Sequence, residues 1–100
     1  AKLTAAAQHR AEEIATVNSH VRPNGSKWYT VLSEYGVTDA ASGENAAWGS
    51  VSPEEVVTAW MNSEGHRANI LDPEARAMGV GYYYNSSSTW GHQWIQLFTK

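Results

Sequence analysis

The hydrophobic period changes after Pro73 of this 100-residue chain, and that change limits the fold more than any other feature. Before it, apolar residues recur at helical spacing, first from Leu3 to about Ser19, where Arg10 is assigned to the polar side. After it, residues 78–84 and 94–98 alternate as strands do, and the polar residues 85–88 join them. Helices followed by a terminal hairpin predict a single α+β domain over residues 1–100, with helices packed on a small antiparallel sheet.

A capping box marks the clearest helix start. Ser52 precedes Pro53 at the first helical position, and Glu55 follows three residues after the cap. The buried stripe predicted for this helix consists of Val56, Val57, Trp60 and Met61. Shorter helices are predicted after a cap at Ser26 and over 66–71. Residues 37–50 show no clear period and are predicted to form an ordered loop.

Composition excludes several classes of protein. The net charge is -3 and the seven basic residues are scattered, so no basic stripe is present for nucleic acid to follow. No apolar run approaches the roughly 20 residues of a membrane-spanning helix. The absence of cysteine excludes a disulfide framework and thiolate chemistry.

Three residues near predicted element boundaries have side chains suited to a metal site: His20, Glu44 and His66. Two neutral imidazoles and a carboxylate suit tetrahedral Zn²⁺, or another divalent metal, with water as the fourth ligand. Such a water is a nucleophile near neutral pH, and Glu44 would then be a ligand or a general base. Their spacing matches no short zinc motif such as His-Glu-x-x-His. Structural roles, in which the rings and the carboxylate bond to loop backbone, remain open as well.

Other polar and aromatic residues favour structural roles. Ser63 is interpreted as a helix cap, since no His-Asp relay accompanies it, and Arg67 as a bracing or surface residue. His9 and His92 are predicted to lie at the surface or at an edge. The hairpin aromatics suit either a sugar-stacking or lipid-facing platform or, preferably, core and cross-strand packing. They are Tyr82, Tyr83, Tyr84, Trp90 and Trp94.

Six segments, taken together in their order, resemble a known family. They are Ser19–Gly25, Gly43–Ala47, Ala59–Ser63, Gly65–Leu71, Gly79–Tyr82 and Trp94–Phe98. The family that they resemble is the cysteine-rich secretory, antigen 5 and pathogenesis-related (CAP) superfamily, in its bacterial SCP-like form. The resemblance covers most of the chain, from Leu3 to Phe98.

The resemblance implies an α-β-α sandwich and a cleft where two histidines and two acidic residues meet, often around a divalent metal such as zinc. His20 and His66 match the histidines, and Glu44 matches one acid. The second acid usually follows the helix tryptophan by three residues, where this chain has Ser63 beside Glu64. These two residues, with Asn45, are further cleft candidates. The family's usual first helix is expected to be absent.

The resemblance also implies an extracellular or cell-surface binding module whose cleft takes a metal, a small apolar molecule or a cell-surface component. Several relatives bind sterols or other lipids. The alternative is a metal-dependent, peptidase-like hydrolase that uses His20, His66 and Glu44. A third hypothesis is a structural or immune-facing surface domain with a vestigial site. The sequence indicates neither the oligomeric state nor the ligand.

Overall fold

The computed structural model describes residues 2–17, 19–87 and 91–100. In these ranges helices and strands follow one another in the order α1 (Lys2–Ile14), α2 (Thr30–Glu34), β1 (Ala41–Trp48), α3 (Pro53–Met61), α4 (Glu64–Ile70), β2 (Ala77–Tyr84) and β3 (His92–Thr99). The longest of these helices, α1, has 13 residues. Across the described ranges, no helix has the length and apolar character needed to cross a bilayer.

The strands form one antiparallel sheet in the order β1-β3-β2, so the last strand lies at its centre. Side chains of successive residues on β3 point to opposite faces. Ile95 and Leu97 accordingly join the core beneath α1 and α2, whereas Trp94 packs with Trp60 of α3. The helices therefore form a layer on each face, and the predicted α+β sandwich is confirmed.

Two glycines let α1 lie very close to β2. A Cβ atom at Gly79 would lie 2.6 Å from the carbonyl oxygen of Leu3, and one at Gly81 would lie 2.2 Å from that of Ala7. Real Cβ atoms do not approach backbone so closely. The contact therefore depends on the absence of side chains on this face of β2.

The capping box predicted for α3 is confirmed in part, since the side chain of Ser52 accepts a hydrogen bond from the backbone N–H of Glu55. Trp60 is buried, as expected, and its indole N–H donates to the carbonyl oxygen of Ala46 at 3.2 Å. The predicted buried stripe was too wide. Val57 is 44% exposed because α3 turns only a narrow stripe, Val56 and Trp60, toward the sheet.

Residues 37–50 contain the strand β1, so the loop predicted there was wrong. The pattern failed because four consecutive residues at the centre of β1, positions 43–46, are buried between the two helix layers. A strand covered on both faces shows no alternation of apolar and polar residues. Two of its buried residues, Glu44 and Asn45, are polar and find partners in distant elements.

Helix boundaries also differ from those predicted. α1 ends at Ile14, before Ser19, and α4 begins at Glu64. Ser63, predicted to be a helix cap, occupies the N-cap position of α4, but its side chain makes no capping bond. Ser26 does not cap α2, since it lies three residues before the N-cap position and its hydroxyl bonds to the side chains of Asn24 and Thr30. The cap position is occupied by Tyr29, whose side chain makes no capping bond.

Candidate functional site

His20 and Glu44 meet where the segment after α1 crosses β1. Nδ1 of His20 lies 2.6 Å from Oε1 of Glu44. The histidine side chain is 54% exposed, whereas that of Glu44 has no exposure. A carboxylate only accepts, so Nδ1 is the donor and Nε2 is the ring nitrogen left to bind a ligand.

Arg10 of α1 holds Glu44 in place. Its Nε donates to Oε2 of Glu44 at 2.7 Å and its Nη2 donates to Oε1 at 3.0 Å, which makes a two-pronged ion pair. Nη2 also donates to the carbonyl oxygen of Ser19 at 3.1 Å. Arg10 is fully buried, so its assignment to the polar side of α1 was wrong. It faces the core because its charge is paired there.

A second buried arginine fixes the segment that follows His20. Arg22 donates to Glu13 of α1 at 2.7 Å and to Glu34 of α2 at 2.6 Å. Its backbone carbonyl accepts from Gly25, which has a φ of 87° and closes the predicted turn after Arg22. Both sides of His20 are therefore anchored to helices.

His66 lies on α4, which is bound to β1 through amide side chains. Nδ2 of Asn45 donates to the carbonyl oxygen of His66 at 3.0 Å, and Oδ1 of Asn45 accepts from Asn69 at 2.9 Å. A Cβ atom at Gly43 would lie 2.7 Å from the side chain of Asn69, so the glycine makes room for this contact. Asn45, a predicted cleft residue, thus positions the backbone of His66.

The two histidines have pKa values displaced in opposite directions. The hydrogen bond with Glu44 raises the pKa of His20. Burial lowers the pKa of His66, and the charge of His20 lowers it further. His66 therefore loses its proton before His20 as pH rises.

The ionised form of Glu13 is stabilised by the same arginine network. Burial alone would raise the pKa of its carboxyl, but hydrogen bonds from Arg22 and Arg10 outweigh that effect and lower it. Burial opposes the charge of Arg10 as well, yet Glu44 and Glu13 raise its pKa. Arg10, Arg22 and Glu13 therefore stay charged at neutral pH.

Ser63 and Glu64 lie at the start of α4, where Ser63 is half-buried and Glu64 exposed. In the described part of the chain, neither side chain forms a hydrogen bond or ion pair with the histidines or Glu44. No three His, Cys, Asp or Glu side chains are grouped to hold a metal ion within residues 2–17, 19–87 and 91–100. A metal ion in this cleft would have the imidazoles of His20 and His66 as its protein ligands, with Glu44 bonded to Nδ1 of His20.

The described hairpin aromatics and the two other histidines contact residues outside the cleft. Tyr82 and Trp94 form the expected cross-strand pair, with ring centroids 4.4 Å apart, and His92 lies 2.7 Å from the Tyr82 hydroxyl. Tyr84 is 54% exposed, so the aromatics are not all core. His9 is half-buried between Tyr35 and Glu13. Trp90 lies outside the described residues.

Known proteins match this chain along most of its length. The model of the cysteine-rich secretory protein family, CAP, matches residues 1–98. The chain belongs to the CAP family. It is 40% identical to the uncharacterized protein YkwD of Bacillus subtilis over 93% of this chain and 37% of YkwD. It is 36% identical to the uncharacterized membrane protein YlbC of the same species, over 63% of this chain and 18% of YlbC. It therefore spans well under half of either relative.

Solved structures agree with this membership. An extracellular protein with an SCP domain from Bacillus anthracis superposes with a TM-score of 0.84 at 26% identity, over 99% of this CAP chain and 32% of that chain. An outer surface protein from Borrelia burgdorferi superposes with a TM-score of 0.76 at 21% identity, over 99% and 73%. The second likeness concerns the fold alone.

Proposed function

We propose that this CAP domain is a binding module of an extracellular or cell-surface protein, and that His20 and His66 together hold a divalent metal. The observation that carries the proposal is the bond from Nδ1 of His20 to buried Glu44, which leaves Nε2 of a half-exposed ring as the nitrogen that can bind a ligand. Metal-binding histidines commonly have a carboxylate in this supporting position. The lowered pKa of His66 favours the neutral ring that metal binding needs.

Zinc is the first candidate because it binds imidazole nitrogen well and accepts four ligands. When bound, the ion would supply open positions for water or for a ligand's oxygen. The chain's own residues would orient both rings and fix the tautomer of His20. Extracellular placement is supported by the Bacillus anthracis structure, which comes from an extracellular protein.

A small apolar molecule or an apolar part of a cell-surface component is the proposed ligand class. An open cavity of about 260 Å³ lies between the end of α4 and the start of β2, lined by Ile70, Met78 and Phe98 among others. Ile70 lies on the same helix as His66. The cavity is small against the 300–1,000 Å³ of typical ligand pockets, so it suits only part of a larger molecule.

The hydrolase alternative requires Glu44 to act on water. Both its carboxylate oxygens already accept hydrogen bonds, from Arg10 and His20, and its side chain is completely buried. Glu44 is therefore better suited to orienting His20 than to serving as a general base. Metal-dependent turnover of a peptide library that disappears in Glu44→Gln while zinc affinity persists would favour the hydrolase instead.

Calorimetric titration with Zn²⁺ tests the proposal. At about pH 7.5 we expect one ion per wild-type chain and loss of binding in both His20→Ala and His66→Ala, with weaker wild-type binding at about pH 5.5 because the rings become protonated. His92→Ala is the matched control, because that histidine lies on β3 and contacts Tyr82. An intact wild-type domain that binds no zinc would refute the metal site.

A further inference from the structure

We propose that Arg10 is the positioning residue of the histidine cleft, because it fixes both Glu44 and the backbone beside His20 and so determines which nitrogen of His20 meets a ligand. The metal part of this inference rests on the proposed function. The part that concerns the tautomer of His20 stands without it. Arg10 lies outside the six segments, such as Ser19–Gly25 and Gly43–Ala47, on which the family resemblance was based.

The geometry of the Arg10 side chain supports the inference. Nε and Nη2 donate to different oxygens of Glu44, at 2.7 and 3.0 Å. Two parallel bonds from a planar guanidinium fix the rotation of the carboxylate as well as its position. Oxygen Oε1, one of the two held in this way, is also the atom that accepts from Nδ1 of His20 at 2.6 Å. The orientation of Glu44 is thus transmitted to the imidazole.

Arg10 also binds the segment that carries His20. Its Nη2 donates to the carbonyl oxygen of Ser19, the residue before His20. Its Nη1 donates to Glu13 of the same helix at 2.9 Å, so the guanidinium is held on α1 while it bonds to Ser19 and Glu44. Pairing the charge of Glu44 would need neither contact. The bond to Ser19 places the backbone of His20 relative to the carboxylate that orients its ring.

Lysine cannot replace this arrangement. Its ammonium group is a point charge that lacks the fixed fork needed to hold two carboxylate oxygens and a carbonyl oxygen at set angles. Arg10→Lys therefore keeps a positive charge beside Glu44 while releasing the carboxylate to rotate. The matched control is Arg22→Lys, because Arg22 is also buried, belongs to the same network and has no bond to Glu44.

Nitrogen NMR of the histidine rings tests the positioning role in metal-free protein at about pH 9, above the reference histidine pKa of about 6.5. We expect the wild type and Arg22→Lys to carry the His20 proton on Nδ1, and Arg10→Lys to carry it wholly or partly on Nε2. An Arg10→Lys spectrum identical to the wild type would overturn the proposal. So would an equal change in both variants. If Arg10→Lys fails to fold, wild-type His20 protonated on Nε2 would overturn it.

Zinc affinity gives a second readout. Loss of a group that supports a metal ligand typically weakens binding 10- to 100-fold, and we expect a loss of that order in Arg10→Lys but under about threefold in Arg22→Lys. Wild-type zinc affinity in Arg10→Lys would contradict the positioning role. Absence of zinc binding in the wild type would instead refute the proposed function, and the tautomer measurement would still decide the role of Arg10.

Discussion

Replacing Gly81 with alanine places a methyl group where the backbone of α1 already lies. The new carbon would be 2.2 Å from the carbonyl oxygen of Ala7 and 2.7 Å from the backbone nitrogen of Gln8. Ordinary carbon contacts lie near 3.5–4.0 Å, so α1 has to move outward by more than about 1 Å. A gap of that size forfeits a quarter to a half of the dispersion energy of each contact that it opens.

The cost follows from what α1 contributes to the core. Ala6, Ala7, Ala11 and Ile14 on this helix are completely buried. Overpacking usually costs about 1–3 kcal/mol, and here the obstacle is backbone that no rotamer change can clear. We therefore expect Gly81→Ala to lose about 3 kcal/mol or more, which corresponds to about 12–24 °C in Tm at about 4–8 °C per kcal/mol for a domain of this size.

Urea denaturation of the variant and the wild type, followed by far-UV circular dichroism, measures this loss. Gly65→Ala is the matched control, because a Cβ atom at Gly65 would meet nothing within 4 Å and the residue lies in α4. We expect that control to gain about 0.5–1 kcal/mol from helix propensity. A loss below about 1 kcal/mol in Gly81→Ala would refute the argument that α1 and β2 are in backbone contact.

Three further predictions concern polar side chains that form hydrogen bonds to distant elements. Trp60→Phe leaves the carbonyl oxygen of Ala46 without its indole donor and should cost about 1–3 kcal/mol in urea denaturation, while a neutral change would contradict this. The lowered pKa of Glu13 means that its contribution to stability is present above about pH 4.5 and is lost as pH falls through the pKa of the folded protein. Glu13→Gln should therefore reduce the decline in unfolding free energy that acid causes. An unchanged decline would count against a lowered pKa of Glu13. The raised pKa of His20 means that its contribution to stability is complete below about pH 6.5 and is lost as pH rises through the pKa of the folded protein. The difference in unfolding free energy between metal-free wild type and His20→Asn should therefore shrink toward pH 9. A difference that grows with pH would contradict the raised pKa.

Local sequence signals predicted those parts of the fold that depend on neighbouring residues. The start of α3 was predictable because Ser52 caps a backbone N–H only three residues away. The β2–β3 hairpin was predictable because Met78, Val80 and Tyr82 alternate with residues on the helix-covered face. In both cases the pattern and the contact that it reflects lie within one element or between neighbours in the chain.

The strand β1 and the buried arginine depend on contacts between distant elements, and they were missed for that reason. Glu44 is buried in β1 because Arg10 meets it from 34 residues away. The sequence did contain a usable signal. Arg10 lies four residues before Ile14 and four after Ala6, within the apolar stripe of α1, and a charge in that position predicts a buried partner.

The candidate site could be predicted as a set of residues but not as an arrangement. His20, Glu44 and His66 were recognisable from their motifs, and the structure brings His20 against Glu44. The motifs do not show the order of the contacts, in which the carboxylate of Glu44 bonds to Nδ1 of His20 and leaves Nε2 for a ligand. That order is set by Arg10 and by the burial of Glu44, which both depend on how α1 packs on the sheet.

Anomalous diffraction at the zinc absorption edge, from crystals of the wild-type domain grown with Zn²⁺, would show which atoms of the cleft bind the metal. We expect one peak at about 2.0–2.1 Å from Nε2 of His20 and at a similar distance from a ring nitrogen of His66, with Glu44 still bonded to Nδ1 of His20. A peak coordinated by the carboxylate of Glu44, or zinc bound only elsewhere on the domain, would contradict it.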